Sequence, residues 1–298
     1  MEDVAMLVDL IRLTAADGME LDGAYFAPEP GIAPAGGIDA VLCIHGSGRN
    51  FYTPATANMA HDLRKRGYAA LTLNTRGHDT VWVDRQTGVA EGNAYEILDN
   101  SRQDLRAGID YLASLGYGRV AILGHSMGAV KVAYYAAVED DPRVAAVIPV
   151  SPVRLSCSYY LESPDAAEFR ANLETADRME AEGRALDLFA VDFPIKELFS
   201  AMAYIDKHGP LERYNIIQHA PKIRIPLFVL AGSLETHTRL LDVPRDMTAA
   251  AVNSPRAEYL VLEGGNHSLT NMMPAAGSAV IDWLASLSVA SASAVAAD

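Results

Sequence analysis

Residues 119–138, RVAILGHSMGAVKVAYYAAV, decide the fold. The run 119–124 is short and almost continuously apolar, as a strand buried on both faces is. The run 127–138 is long enough, and rich enough in alanine, to be a helix. Between them stands Ser126, with Gly124 and Gly128 two residues away on either side. The pattern G-x-S-x-G alone also fits an ordinary serine in a glycine-punctuated loop. A strand before it and a helix after it make it a sharp strand-to-helix turn, where the glycines permit close backbone approach and the hydroxyl stands at the top of a sheet. The N–H groups at the start of the following helix then face any oxyanion formed there. Ser126 is the candidate nucleophile.

Outward from this stretch the text alternates between strand and helix. AVLCIHG (40–46) precedes a helix near 54–66, AALTLN (69–74) a helix near 98–115, and VAAVIPV (144–150) follows the helix at 127–138. After a break, IPLFVLAG (225–232), AEYLVLEGG (257–265) and a helix over 274–287 complete the pattern. Upstream, alternating residues around Asp17-Gly18 predict a hairpin. This is an α/β chain with a mostly parallel, doubly wound sheet.

Between Ser151 and Ile225 the pattern reads as helical. One helix is expected from Ser163-Pro164 to Gly183, with Phe169, Leu173, Ala176 and Met179 on one face. A second is expected from Pro194 to Gly209, with Ile195, Phe199, Met202 and Ile205 on its apolar side. The organisation expected is a core over 1–151 and 220–288, a helical cap inserted over 152–219, and a frayed tail over 289–298. An insertion after a strand can cover the carboxyl ends of the sheet, where open α/β sheets bind ligands.

A serine needs a base, and the base needs an acid to hold its tautomer. His267, in EGGNHSL just past the last strand, is the candidate base, a solvated loop histidine being the alternative. Glu235, three residues beyond Gly232, is the candidate acid, with Asp242 and Asp246 as competitors at the start of the next helix. The glycine-rich loop in CIHGSGRN (43–50) opens from a strand end, so the N–H of Ser47 pairs with that of Met127 as the expected oxyanion hole. His45 and His125 read as structural histidines. Tyr159, Tyr160, Phe199 and Met202 are candidates for the substrate pocket, with packing inside the cap as the alternative for each.

The formal net charge is −14, which disfavours nucleic acid and anionic membranes as partners and favours a neutral substrate. Cys43 and Cys157 have no metal or disulfide spacing, so two reduced thiols are expected. No apolar run approaches the roughly 20 residues of a spanning helix, and the acidic start lacks the marks of a secretory signal. The expectation is a soluble cytoplasmic protein acting on a small molecule without metal or organic cofactor. A homo-oligomer stays open.

The HGSG loop, the GHSMG turn, the order Ser126, Glu235, His267 and the inserted helical segment together resemble the α/β-hydrolase superfamily over about residues 40–287. NTRGHD (74–79) is similar to that superfamily's D-x-R-G-x-G segment, with Asn74 in place of the acid and Asp79 in place of the second glycine. The resemblance implies a cap-bearing serine hydrolase, with ester hydrolysis foremost. Thioester or carbon–carbon bond hydrolysis, a lyase reaction, and a non-catalytic ligand receptor are the rival readings.

Overall fold

The computed structural model describes residues 7–235 and 238–287. The tail expected over 289–298 lies outside the described residues. The chain begins with an antiparallel hairpin, β1 (Asp9–Thr14) and β2 (Glu20–Phe26). There follow β3 (Ala40–Ile44), α1 (Pro54–Arg64), β4 (Ala69–Leu73), and a small hairpin of β5 (Trp82–Val83) and β6 (Ala90–Glu91). Next come α2 (Ser101–Ser114), β7 (Val120–His125), α3 (Met127–Val138) and β8 (Val144–Val150).

The sheet order is β1-β2-β4-β3-β7-β8, completed by β11 (Leu227–Gly232) and β12 (Ala257–Leu262), which are numbered after the two strands of the intervening segment. The first three strands run antiparallel to their neighbours up to β4; from there to β12 every pairing is parallel. β3 and β4 are wholly buried, as strands covered on both faces must be. One face packs Met59 and Leu63 of α1 against the sheet with Val280 and Leu284 from the C-terminal helix Met273–Ala285. The other face carries α2 and α3, with Leu105, Ile109, Val130 and Val132 in its core.

The segment between β8 and β11 holds α4 (Cys157–Leu161), α5 (Ala166–Ala181), β9 (Leu188–Val191), β10 (Glu197–Ser200), α6 (Ala201–His208) and α7 (Ile216–His219). α8 (Thr238–Leu241) and α9 (Val243–Ala250) then lie between β11 and β12, and the C-terminal helix is α10.

Two expectations here are corrected. The helix expected from Ser163 starts later, at Ala166, because Ser163 Oγ donates to Tyr160 O (2.8 Å) and accepts from Asp165 N, which keeps the chain in a turn. The helix expected from Pro194 to Gly209 is half strand. Glu197–Ser200 pairs in antiparallel register with Leu188–Val191, and only at Ser200, whose hydroxyl caps Ala203 N–H (3.2 Å), does α6 begin. Ile195 and Phe199 are thus not on one helix face with Met202 and Ile205.

Candidate active site

Ser126 sits between β7 and α3 with φ 56° and ψ −115°, a conformation that costs a non-glycine residue about 1–3 kcal/mol. Close packing enforces it. A Cβ on Gly124 would lie 2.1 Å from Gly128 O, and one on Gly128 would lie 2.4 Å from His45 O. The two glycines therefore let the turn close on itself and against the end of β3. Ser126 N–H donates to Val150 O (2.8 Å), which ties the turn to β8.

The structure brings Ser126, His267 and Glu235 together. His267 Nε2 is 3.0 Å from Ser126 Oγ, and His267 Nδ1 is 2.8 and 3.0 Å from the two Glu235 carboxylate oxygens. Glu235 is almost fully buried, so its charge acts where water screens little; His267 keeps about a third of its side chain exposed. The loops that carry Glu235 and His267 meet through bare backbone. A Cβ on Gly232 would lie 2.2 Å from Gly265 O, and Leu234 N–H donates to that same carbonyl (2.9 Å). His125 Nε2–H donates to His267 O (2.9 Å) and so holds the backbone of His267. Burial, then the neighbouring His267, pull His125 down to about 4, so it does this as a neutral ring. The competing acids are engaged elsewhere: Asp246 lies 2.7 Å from Arg154 and 2.8 Å from Arg245, and Asp242 faces Arg245 at 3.4 Å.

Beside the serine, the loop after β3 is set by His45. Thr75 N–H donates to His45 Nε2 (3.0 Å), so the proton resides on Nδ1 and is donated to Gly46 O (2.9 Å). Burial, reinforced by the charge of Lys131, pulls His45 down to about 3 and keeps the ring neutral. Ser47 follows directly, and Met127 opens α3, where first-turn N–H groups lack an intrahelical acceptor.

Sequence reasoning passed over a buried ionic cluster behind this loop. Glu96 lies 2.5 Å from Lys131 Nζ and 3.2 Å from Lys207 Nζ, all three side chains being at most 2% exposed. Burial alone would raise the Glu96 carboxyl, but Lys131 and Lys207 pull it down to about 2. The signal was present in the opening stretch, since a lysine inside the apolar helix GAVKVAYY needs a buried partner. In the NTRGHD segment, Asn74 Oδ1 accepts from Phe51 N–H (2.8 Å), while Asp79 takes the left-handed φ of 53° that a glycine would adopt.

Of the pocket candidates, Tyr160 and Phe199 are enclosed in the inserted segment's own core with Phe169, Phe193 and Tyr204, at 0% and 1% exposure. Aromatic packing, not contact with a ligand space, accounts for both, which corrects the expectation for them. Tyr159 is half-buried under the Arg154 guanidinium, 4.6 Å from its ring centre, and Met202 is half-buried with its N–H on Ala185 O. Among the described residues, Cys43 and Cys157 are buried free thiols, no three His, Cys, Asp or Glu side chains converge as metal ligands would, and no helix is long and apolar enough to cross a membrane.

A sequence profile of the alpha/beta hydrolase family matches residues 41–280. The chain belongs to this family. Solved structures agree on the fold of this alpha/beta hydrolase. Est1E from Butyrivibrio proteoclasticus matches with a TM-score of 0.63 over 92% of this chain and 97% of that one, at 16% identity. The esterase Pf2001 of Pyrococcus furiosus matches at 0.60 over 93% and 91%, at 18% identity. The alpha/beta hydrolase GrgF from Penicillium sp. sh18 matches at 0.68 over 94% and 98%, at 16% identity. At such identities the likeness speaks for the fold of this alpha/beta hydrolase alone. No curated protein matches its sequence.

Proposed function

We propose that this alpha/beta hydrolase cleaves a carboxylic ester of a small to medium, largely apolar and neutral substrate through a Ser126–His267–Glu235 triad. The observation that carries the reading is the unbroken hydrogen-bonded line from Ser126 Oγ through the His267 ring to Glu235, ending on a strained turn that presents the hydroxyl. His267 Nε2 takes the Ser126 proton as Oγ attacks the ester carbonyl, and Glu235 stabilises the imidazolium that results. The N–H groups of Ser47 and Met127 receive the oxyanion. His267 passes the proton to the leaving alcohol, and an acyl-Ser126 remains. Water, deprotonated by His267, then attacks the acyl group; the acid leaves and Ser126 regains its proton. The segment over 152–219 acts as the cap over this site, with Tyr159 and Met202 nearest to a lining role.

Mixing with p-nitrophenyl butyrate tests the reading. It predicts a nitrophenol burst followed by turnover, and the loss of both in Ser126→Ala. Absence of turnover across a panel of esters and thioesters, or full activity in Ser126→Ala, would refute it.

A further inference from the structure

The buried cluster behind the oxyanion loop joins parts of the molecule that are far apart in sequence. Lys207 belongs to α6 of the inserted segment, Glu96 to the loop after β6, and Lys131 to the helix that starts at the candidate nucleophile. Lys207 Nζ also donates to Asn93 O (2.9 Å) and Asn93 Oδ1 (3.1 Å), and Asn93 Nδ2 donates to Glu197 of β10. Ser200 N–H donates to Ala94 O (2.7 Å). The inserted segment is thus seated on residues 93–96 by buried polar contacts. From Glu96 the chain of contacts continues inward: Lys131 Nζ donates to Thr75 Oγ1 (2.7 Å), which lies 3.3 Å from His45 Nε2, and His45 Nδ1–H holds Gly46 O.

The last contact has a geometric consequence. The C=O of Gly46 and the N–H of Ser47 belong to one peptide plane and, in a trans peptide, point in opposite directions. A hydrogen bond that fixes Gly46 O therefore fixes the direction of the Ser47 N–H. Arg49 N–H, 3.2 Å from the same oxygen, pins it from the far side of the turn. Gly46 itself abuts the nucleophile, since a Cβ there would lie 3.0 Å from Ser126 Cβ. A small rotation of this peptide would thus move an oxyanion donor relative to Ser126.

We propose that Lys207, Glu96, Lys131 and Thr75 act as positioning residues, a buried relay through which the seating of the inserted segment sets the direction of the Ser47 N–H. The proposal rests on the esterase reading for its catalytic consequence but not for its structural one. The relay is also built from more cation than anion, two lysines to one glutamate. Removal of Lys207 leaves Glu96 and Lys131 as a balanced pair, so Lys207→Met brings the cluster to formal neutrality where Glu96→Gln would strand two cations.

The test uses the full chain as wild type, Lys207→Met, Thr75→Val, Thr75→Ser and the double variant Lys207→Met/Thr75→Val. Measured are kcat and KM with p-nitrophenyl butyrate, the rate of inactivation by a fluorophosphonate, and backbone hydrogen exchange over residues 44–49. The expected result is a roughly tenfold fall in kcat and in inactivation rate for each of the first two variants, less than the 10²–10³ of a lost donor. KM should stay within about twofold, exchange at 44–49 should rise, and Thr75→Ser, which keeps the hydroxyl, should match wild type. The double variant should be no worse than the poorer single, because both cut one relay. Wild-type kcat and exchange in both single variants, or losses that multiply in the double, would overturn the relay. If wild type neither turns over esters nor reacts with the fluorophosphonate, the esterase reading fails by itself. Exchange at 44–49 then decides the relay: raised in both single variants it stands, unchanged it falls.

Discussion

Glu235→Gln removes a charge while keeping the shape of the side chain, and it isolates what the proposed acid does. In the structure both carboxylate oxygens lie within 3.0 Å of His267 Nδ1, and the carboxylate is almost entirely shielded from water. A carboxylate and an imidazolium with charge centres roughly 4 Å apart interact by about 4 kcal/mol at an effective dielectric of 20. That energy is realised only when His267 is protonated, in the transition state, so about 10³ in kcat is at stake. The amide adds a second penalty: if its NH₂ turns to Nδ1, the ring is held with its proton on Nε2 and cannot accept from Ser126. A comparable replacement in a serine protease triad costs about 10⁴. Steady-state hydrolysis of p-nitrophenyl butyrate should therefore fall by about 10³–10⁴ in kcat with KM little changed. Asp246→Asn, whose side chain is occupied by Arg154 and Arg245, should stay within about fivefold of wild type on this argument. Glu235→Gln within tenfold of wild type, or an equal collapse in Asp246→Asn, would refute the assignment of the acid.

Gly124→Ala should prevent formation of the native turn, because its Cβ would overlap Gly128 O at 2.1 Å; soluble, fully active protein would contradict the packing argument. Arg76→Met should lower stability by about 3–5 kcal/mol in urea unfolding, since it strands the fully buried Asp104 that Arg76 meets at 2.7 Å; a change below about 1 kcal/mol would count against it. Stability should also fall on acidification. His45 and His125 titrate near 6.5 when unfolded but at about 3 and about 4 when folded, so below pH 6.5 the unfolded chain takes up protons that the native one refuses. Their contribution is complete above pH 6.5 and drains away towards pH 4, by about 1.4 kcal/mol per pH unit for each ring. Melting temperatures unchanged between pH 7 and 5 would argue that the two rings are not buried as neutral groups.

The strands of the parallel sheet were readable because full burial leaves an uninterrupted apolar run, as in AVLCI and VAILG, bounded by glycine or a charge. The loops of Ser126 and Glu235 follow such runs, whereas the loop of His267 follows β12, a largely exposed edge strand whose YLVL run is apolar without being buried. The hairpin of β9 and β10 was not, because short, partly exposed strands carry no run and ELFSAMAYI holds apolar residues at helical spacing. Helix and strand compete there, and pairing across the segment decides. The partners of Lys131 were unreadable for a different reason. An apolar helix announces that its lysine has a counter-ion, but not that the counter-ion comes from Glu96, or that Lys207 shares it.

The bare contact of Gly232 with Gly265 has a consequence for recombining this protein with its relatives. Glu235 and His267 travel on loops that touch without side chains between them, so neither loop can be exchanged alone without placing foreign backbone against its partner. A crossover before Leu227 or beyond Leu269 transfers the pair intact, whereas one between Gly232 and Gly265 breaks it. The serine, on its own turn, is the separable member. In chimeras, then, residues 227–269 form the heritable block, and the turn at Ser126 is a socket into which such blocks are fitted.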